Sequence, residues 1–286
     1  MVGLDRTRVT ISGSAPLSKE ILLFLRCLLN GVVIEGYGAT ETTGPTTLQV
    51  GGDYSIGNVG GPLPCCDVKL VDVPEMGYLT SDRDHNGQPC KGRGELCLRG
   101  YNITPGYFKA PELTQKTFDK DGFMATGDIA IILPNYAIKI VDRKKNFFKL
   151  SQGEYVAAEK LEIIYGASPF ISQIFVHGDS LQNYLVAVIV PEKEYVMKWA
   201  KSNGLAGKPF QEICDSAELH EAIKEDLARL FKQAGLRGFE RIQKFKVDST
   251  GWSVDNGMLT PTFKLVRKQL QKHYSTEIGE MYQSSK

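Results

Sequence analysis

Between residues 62 and 141 four short strand-like runs, Val68–Val71, Glu95–Leu98, Ile129–Ile132 and Ile138–Val141, are separated by turn-forming clusters such as His85-Asn86-Gly87. Runs this short, rich in branched apolar residues and broken by turns, predict a small sheet or barrel. That stretch partitions the chain. Ahead of it, Val9-Thr10-Ile11 leads through Ser12-Gly13-Ser14-Ala15-Pro16 into a helical stretch at about 18–30 and on to Val32-Val33-Ile34, which reads as one α/β unit. The Gly-rich segment 36–61 reads as largely loop. Behind the β-rich stretch, the charged run 142–149 reads as a linker or sharp connection. Two apolar strands, 171–176 and 184–190, and three helices follow it.

The clearest helix carries Leu219, Ile223, Leu227, Leu230 and Phe231 on one face at helical spacing. Asp215 with Glu218 three residues on resembles a capping box. The last helix is predicted to begin with Thr260 as N-cap and Pro261 at the first helical position, which suits proline's fixed φ and missing N–H. Lys264 then falls in or near a first turn, close to unpaired backbone N–H groups. The expected fold class is α/β plus α+β: an α/β unit to about 61, a β-rich subdomain over 62–141 and an α+β domain over 142–286.

At 286 residues the chain has room for two domains, and 42% hydrophobic with 23% charged residues is ordinary for a soluble globular protein. A formal net charge of +1 supplies no general drive toward nucleic acid or an anionic membrane, so any anion binding must come from local placement of charge. Cysteines 27, 65, 66, 90, 97 and 214 form no CxxC pair and have no companion histidines at zinc spacing. They argue against structural disulfides and for a reducing compartment. The sequon Asn102-Ile103-Thr104 matters only in a secreted chain, and no signal peptide is visible. The most apolar run, Ile21 to Ile34, contains Arg26 and Asn30 and is too short and too polar to span a bilayer. A membrane anchor of a longer protein would lie elsewhere.

Four clusters could carry chemistry. In Gly36-Tyr37-Gly38-Ala39-Thr40-Glu41-Thr42-Thr43-Gly44 the glycines let backbone approach a ligand, Tyr37 offers a stacking face, Thr40 and Thr42 offer hydroxyls and Glu41 a hard oxygen for Mg²⁺. The bland alternative is a polar loop with a core tyrosine. In Ala125-Thr126-Gly127-Asp128, an acidic residue at a strand edge can accept two hydrogen bonds from a ribose diol, or can simply be a turn aspartate. Asp142-Arg143-Lys144-Lys145, followed by Phe147-Phe148-Lys149 and Gly153, could bind phosphate, single-stranded RNA or a membrane surface, with a solvated connection as the default. In Gly257-Met258-Leu259-Thr260-Pro261-Thr262-Phe263-Lys264 the lysine opposes a helix dipole, which is tolerable if lysine and amides serve one anion; otherwise it is a surface lysine.

The order of these segments is more informative than any one of them. Gly-Ser-Ala-Pro, Tyr-Gly-x-Thr-Glu, Gly94-Glu95-Leu96, Thr-Gly-Asp, Asp-Arg-Lys-Lys…Gly and a late Pro-x-x-Lys together resemble the ANL superfamily of adenylate-forming enzymes. Val141-Asp142-Arg143-Lys144-Lys145-Asn146, Gly153-Glu154-Tyr155-Val156 and Leu259-Thr260-Pro261-Thr262-Phe263-Lys264 are similar to its long-chain acyl-CoA synthetases. The resemblance covers nearly the whole chain.

The resemblance implies the end of a large AMP-binding domain over 1–141 and a mobile C-terminal domain over 142–286, with a hinge near 142–146. It implies ATP-dependent joining of a fatty acid to CoA through an acyl-adenylate, with ATP/AMP, Mg²⁺ and CoA as cofactors. By matching motif, Ser14 and Ala15 border the adenine and Tyr37 stacks on it, with Gly38 beside it. Thr40 contacts the α-phosphate and Glu41 holds Mg²⁺. Asp128, supported by Arg143, takes the ribose hydroxyls. Lys264 bridges carboxylate and α-phosphate, Lys145 is the hinge, and Gly153 faces the pantetheine thiol. Phe263 stands before Lys264 where many relatives have glycine, and Asp142 stands where other branches place glycine. The Ser/Thr/Gly-rich loop that holds the β- and γ-phosphates is absent, which implies a fragment unable to run the reaction alone. A cytoplasmic or cytosol-facing location follows from the same resemblance, with fatty acid, ATP and CoA rather than nucleic acid as partners. Another adenylate-forming ligase, for carrier-protein or aryl substrates, is the alternative, as is a non-catalytic nucleotide- or partner-binding relative.

Overall fold

The computed structural model describes residues 4, 6–29 and 31–283; Asn30, at the end of the first expected helix, lies outside them. The chain divides into two compact units, Met1–Lys145 and Asn146–Lys286.

In the first unit, β1 (Val9–Ser12), α1 (Lys19–Leu29) and β2 (Val32–Ala39) form the α/β piece, with β1 parallel to β2 in a register that pairs Ile11 with Ile34. α1 lies on β2, and its Leu22 is fully buried. Segment 36–61 is not largely loop. β2 runs through Gly36-Tyr37-Gly38-Ala39, turns through a single 3₁₀ turn at Thr40–Thr42 and returns as β3 (Gly44–Leu48), followed by β4 (Gly61–Pro62). The glycines permit this rather than loosening it. A Cβ on Gly38 would stand 2.1 Å from the Gly44 carbonyl oxygen, and one on Gly36 2.8 Å from Leu48 Cδ1, so β3 can close on β2 only where β2 has no side chain. Buried Gln49 then fastens the return loop by donating to the carbonyls of Ser55 and Asn58 at 3.2 and 3.1 Å.

The β-rich piece is an open antiparallel sheet, not a barrel. β5 (Cys66–Val71), the small hairpin β6 (Asp84–His85) and β7 (Gln88–Pro89), β8 (Gly92–Gly100), α2 (Pro111–Thr117), β9 (Met124–Ile132) and β10 (Ile138–Arg143) follow in order. The sheet runs β10-β9-β8-β5. Asn86 and Gly87 both take positive φ (55° and 78°), the backbone that a two-residue hairpin turn requires. Alternate residues of β8 and β9, with Ile138, build the core: Leu96, Leu98, Met124 and Ala130. β10 continues through Asp142-Arg143, so the charged run begins as strand and turns only at Lys144–Asn146.

In the second unit β11 (Phe147–Lys149) pairs with β12 (Tyr155–Ala157), and a three-stranded sheet runs β13 (Ile171–His177), β14 (Leu185–Pro191), β15 (Ile242–Val247). Among the described residues its helices are α3 (Ala158–Tyr165), α4 (Lys193–Ser202), α5 (Phe210–Cys214), α6 (Ala217–Gln233), α7 (Arg267–His273) and α8 (Ser275–Gln283), twice the three expected. Every residue of β14 is buried. Leu185, Ala187 and Ile189 join a core shared with α3–α6, while Val186, Val188 and Val190 face a second core with Leu270 and Ile278 of α7 and α8. A strand covered on both faces must be apolar throughout, and each large side chain so buried contributes about 1.5–3 kcal/mol.

Two local expectations are corrected. The N-cap of α6 is Ser216, whose Oγ accepts the Leu219 amide at 3.3 Å; Asp215 instead closes α5. No helix begins at Thr260. Residues 260–264 are the turn of a tight hairpin bridged at Leu259 and Leu265, with the Phe263 amide donating to the Thr260 carbonyl at 2.8 Å. Phe263 has a φ of 60°, which a helix cannot accommodate, and Pro261 sets the second turn position, the other site where its fixed φ is favoured. Among the described residues no helix is long and apolar enough to cross a membrane.

Candidate functional site

The first unit gathers its chemistry around one buried carboxylate. In β9, Gly127 takes a φ of 74° and its amide donates to Glu95 Oε1 at 3.2 Å, while Thr126 Oγ1 donates to the Leu96 carbonyl at 2.7 Å and accepts the Asp128 amide at 3.1 Å. This irregular stretch of the β8–β9 ladder fixes the orientation of Asp128, which is 5% exposed. The Tyr37 hydroxyl donates to Asp128 Oδ2 in a short hydrogen bond, and Arg143 Nε, from the residue opposite in β10, lies 3.3 Å from Oδ1. The guanidinium and the phenol offset part of the cost of burying that carboxylate. Burial first, and the Asp128 charge second, hold the Tyr37 hydroxyl protonated far above the ordinary tyrosine range, so it stays a donor. A buried carboxylate fixed at a strand edge is the kind of acceptor that a ribose diol requires.

The hairpin that carries Tyr37 also carries Thr40 and Glu41. Thr42 turns inward: it is 1% exposed, its Oγ1 accepts the Ala39 amide at 2.8 Å and lies 2.6 Å from the Gly44 carbonyl. Thr40 is exposed and Glu41 half-buried. The Tyr107 hydroxyl donates to Glu41 Oε1 at 2.9 Å. Among the described residues no cluster of three or more His, Cys, Asp and Glu could hold a metal. A single hard oxygen beside an exposed hydroxyl nevertheless fits Mg²⁺, which is usually held by one or two carboxylates together with substrate phosphates.

Ser14, with a φ of 71°, and Ala15 are exposed in the loop after β1. That loop abuts β2, because a Cβ on Gly13 would meet the Gly36 carbonyl oxygen at 3.2 Å. Gly38 has no room for a side chain, because a Cβ there would meet the Gly44 backbone across the β2–β3 pair. Tyr37, Asp128 and Arg143 are thus in direct contact, with Thr40, Glu41, Ser14 and Ala15 on the adjoining loops.

Lys145 is exposed in the 3₁₀ turn Lys144–Asn146, while Lys144 pairs with Glu75 at 3.4 Å and Glu95 at 3.5 Å. Lys264 and Gly153 belong to the second unit. Lys264 leaves the 260–264 turn half-buried, its amide donating to Thr260 Oγ1 at 3.0 Å, ahead of α7 rather than within a helix. Gly153 has a φ of 92°, and a Cβ there would meet nothing nearer than Lys149 Cε at 4.0 Å. Within this unit conformation, not crowding, requires the glycine. Sequence reasoning missed Tyr107 and gave Glu95 only as part of a motif. Glu95 carried a signal in Gly94-Glu95-Leu96, whereas Tyr107 carried none, because its partner lies 66 positions away.

Comparison with known proteins decides the family. AMP-binding enzymes match residues 3–108. Long-chain-fatty-acid–CoA ligase 1 of Cavia porcellus is 44% identical over 98% of the chain, and long-chain-fatty-acid–CoA ligase 6 of Homo sapiens is 45% identical over 97%. The chain carries a domain of the AMP-binding enzyme family. It spans 39% and 38% of the length of those two ligases. Among solved structures of adenylate-forming proteins, the adenylation domain of a carboxylate reductase from Mycobacterium chelonae superposes with a TM-score of 0.79 at 37% identity, covering 95% of this chain and 38% of that one. The corresponding domain from Segniliparus rugosus, in complex with AMP and a co-purified carboxylic acid, gives 0.77 at 35% identity, covering 96% and 39%.

Proposed function

We propose that this chain supplies the nucleotide-gripping and lysine-bearing part of an ATP-dependent long-chain fatty acid–CoA ligase, which converts fatty acid, ATP and CoA to acyl-CoA, AMP and pyrophosphate through an acyl-adenylate. The observation that carries the reading is the contact of Tyr37 and Arg143 on buried Asp128, built from the same motifs that resemble the ligases. Asp128 takes the ribose diol, and Arg143 keeps its carboxylate charged and aimed. Ser14, Ala15 and the Tyr37 ring border the adenine. Thr40 takes the α-phosphate. Glu41 is the residue that would hold Mg²⁺, and the ion's contribution is to offset phosphate charge.

Joining a carboxylate to a phosphate brings two anions together, so a cation must stand where negative charge accumulates. Lys264 is assigned that task in the first half-reaction. Lys145, the last residue of the first unit, is the proposed pivot between half-reactions, and Gly153 is assigned to the CoA thiol. The six free cysteines suit a reducing, cytosol-facing site.

The deciding experiment is palmitate-dependent pyrophosphate release with ATP and Mg²⁺, run on this chain and on a full-length ligase carrying its sequence. Release by the full-length form, abolished in Lys264→Ala with AMP binding retained, is the expected result. No release with short, aryl or long acids sinks the ligase reading. The likeness to carboxylate reductase adenylation domains favours one alternative, transfer to a carrier-protein thiol; release that proceeds to a thioester only with a carrier protein, never with CoA, would favour it.

A further inference from the structure

The Thr40–Thr42 turn is fastened from outside its own hairpin by the loop between β8 and α2. The Thr104 amide donates to the Glu41 carbonyl at 2.8 Å. Asn102 Nδ2 donates to the Thr42 carbonyl at 3.2 Å, and Thr43 Oγ1 donates to the Asn102 carbonyl at 2.9 Å. The nitrogen of the sequon is therefore spent inside the fold. From the same loop Tyr107 reaches the Glu41 carboxylate at 2.9 Å.

Tyr107 is itself held at its backbone. Its amide donates to Thr114 Oγ1 at 2.9 Å, and Thr114 Oγ1 in turn bonds the Ala110 carbonyl at 3.0 Å in the first turn of α2. Gly106 lets the chain pass: with a φ of 154°, a Cβ there would strike Thr114 Cγ2 at 2.6 Å. An ordinary glutamate on a 3₁₀ turn samples several rotamers. This one has its carbonyl tethered, its carboxylate tethered, and the tether's own backbone tethered to a helix.

We propose that Tyr107 is the positioning residue for Glu41, fixing one carboxylate oxygen so that the other is presented to a divalent cation bound with nucleoside triphosphate. The inference rests on the nucleotide reading above. It assigns to the 102–107 loop a role in selecting the metal-bound over the metal-free nucleotide. A group that only supports the fold would weaken both forms together. A group that aims a metal ligand weakens only the metal-bound one.

The test is ATP affinity with and without Mg²⁺, measured by calorimetry on a full-length ligase carrying this sequence as wild type, Tyr107→Phe and Glu41→Gln, with AMP in the absence of metal as a control. Phe keeps the ring and removes the hydroxyl. Since a hydrogen bond to a charged group contributes about 1.5–3 kcal/mol and each 1.4 kcal/mol is tenfold, Tyr107→Phe should reduce the Mg²⁺-dependent gain in affinity about tenfold. Metal-free AMP binding should stay within about twofold. If Glu41→Gln abolishes the Mg²⁺ gain and Tyr107→Phe leaves it intact, Tyr107 has no positioning role. If Glu41→Gln leaves it intact, or the wild type has none, the nucleotide reading of the turn fails instead. Should Tyr107→Phe melt below the assay temperature, Thr114→Val takes its place: it frees the Tyr107 backbone, and an unchanged Mg²⁺ gain in that variant overturns the proposal.

Discussion

Asp128→Asn separates what the carboxylate does for the fold from what it does for a ligand. The amide keeps the volume and one acceptor oxygen, so Tyr37 retains its partner; the charge and the second acceptor are lost. Arg143, whose side chain is 38% exposed, can turn toward water rather than stay buried unpaired. The stability cost is therefore modest, about 1 kcal/mol. The ligand loses more. Each ribose hydroxyl bound to a charged acceptor is worth about 1.5–3 kcal/mol, and an amide with one free lone pair keeps roughly half of the two-bond total. A loss of about 2 kcal/mol corresponds to about 30-fold in Kd. Titration of AMP and 2′,3′-dideoxy-AMP into both proteins isolates the diol. The wild type should prefer AMP by about 1000-fold, and the variant by about 30-fold. Equal weakening toward both nucleotides would refute the assignment, because a nucleotide without hydroxyls has nothing for Asp128 to read.

Other consequences follow from the packing. Gly38→Ala places a methyl group against a backbone carbonyl that cannot yield, so the first unit should lose about 3 kcal/mol in chemical denaturation. Ser216→Ala removes the cap of α6 and should cost the second unit about 1 kcal/mol, read as a lower urea midpoint at unchanged slope. Burial pushes Glu162 up to about 7 against the opposing pull of Arg267, with the Val176 amide also bonded to it and Glu159 nearby. A folded-state pKa above the ordinary 4.5 stabilises fully below that value, and the stabilisation is withdrawn as pH rises through 7. Urea midpoints between about pH 5 and 8 should fall by an equivalent of about 2–3 kcal/mol relative to Glu162→Gln. The variant subtracts the contribution of His177, which burial shifts downward and which titrates in the opposite sense.

What could be read from the sequence was what depends on local pattern. The apolar run of β14, the helical face of α6 and the alternation of β8 and β9 each state their burial in their own residues. The order of motifs carried the family. The errors arose where one residue type has two uses. Proline is favoured both at a helix start and at the second position of a turn, and only the left-handed φ of Phe263 distinguishes them in the 260–264 segment. Ser216 and Asp215 are both good caps, and the choice between them was made by where α5 ended. A glycine-rich segment reads as loop, yet Gly36 and Gly38 are glycine because a neighbouring strand occupies the space.

That last point changes how the Gly-Tyr-Gly segment works. Its glycines serve the β2–β3 closure, and the hairpin so made sorts its turn by direction: Thr42 inward to the backbone, Thr40 exposed, Glu41 bonded by Tyr107. Tyr37 leaves the same hairpin to meet a carboxylate 91 positions later, and Arg143 meets it from the next strand because the β9–β10 register sets Asp128 opposite Arg143. No local pattern can encode that meeting, since it depends on which strands pair and in what register. A one-residue slip of β10 would send Arg143 to the other face and leave a buried carboxylate without its cation. The register of this sheet is therefore held by the Asp128–Arg143 pair as well as by its core, and on the proposed reading a variant that loosens β10 should lose nucleotide before it loses secondary structure.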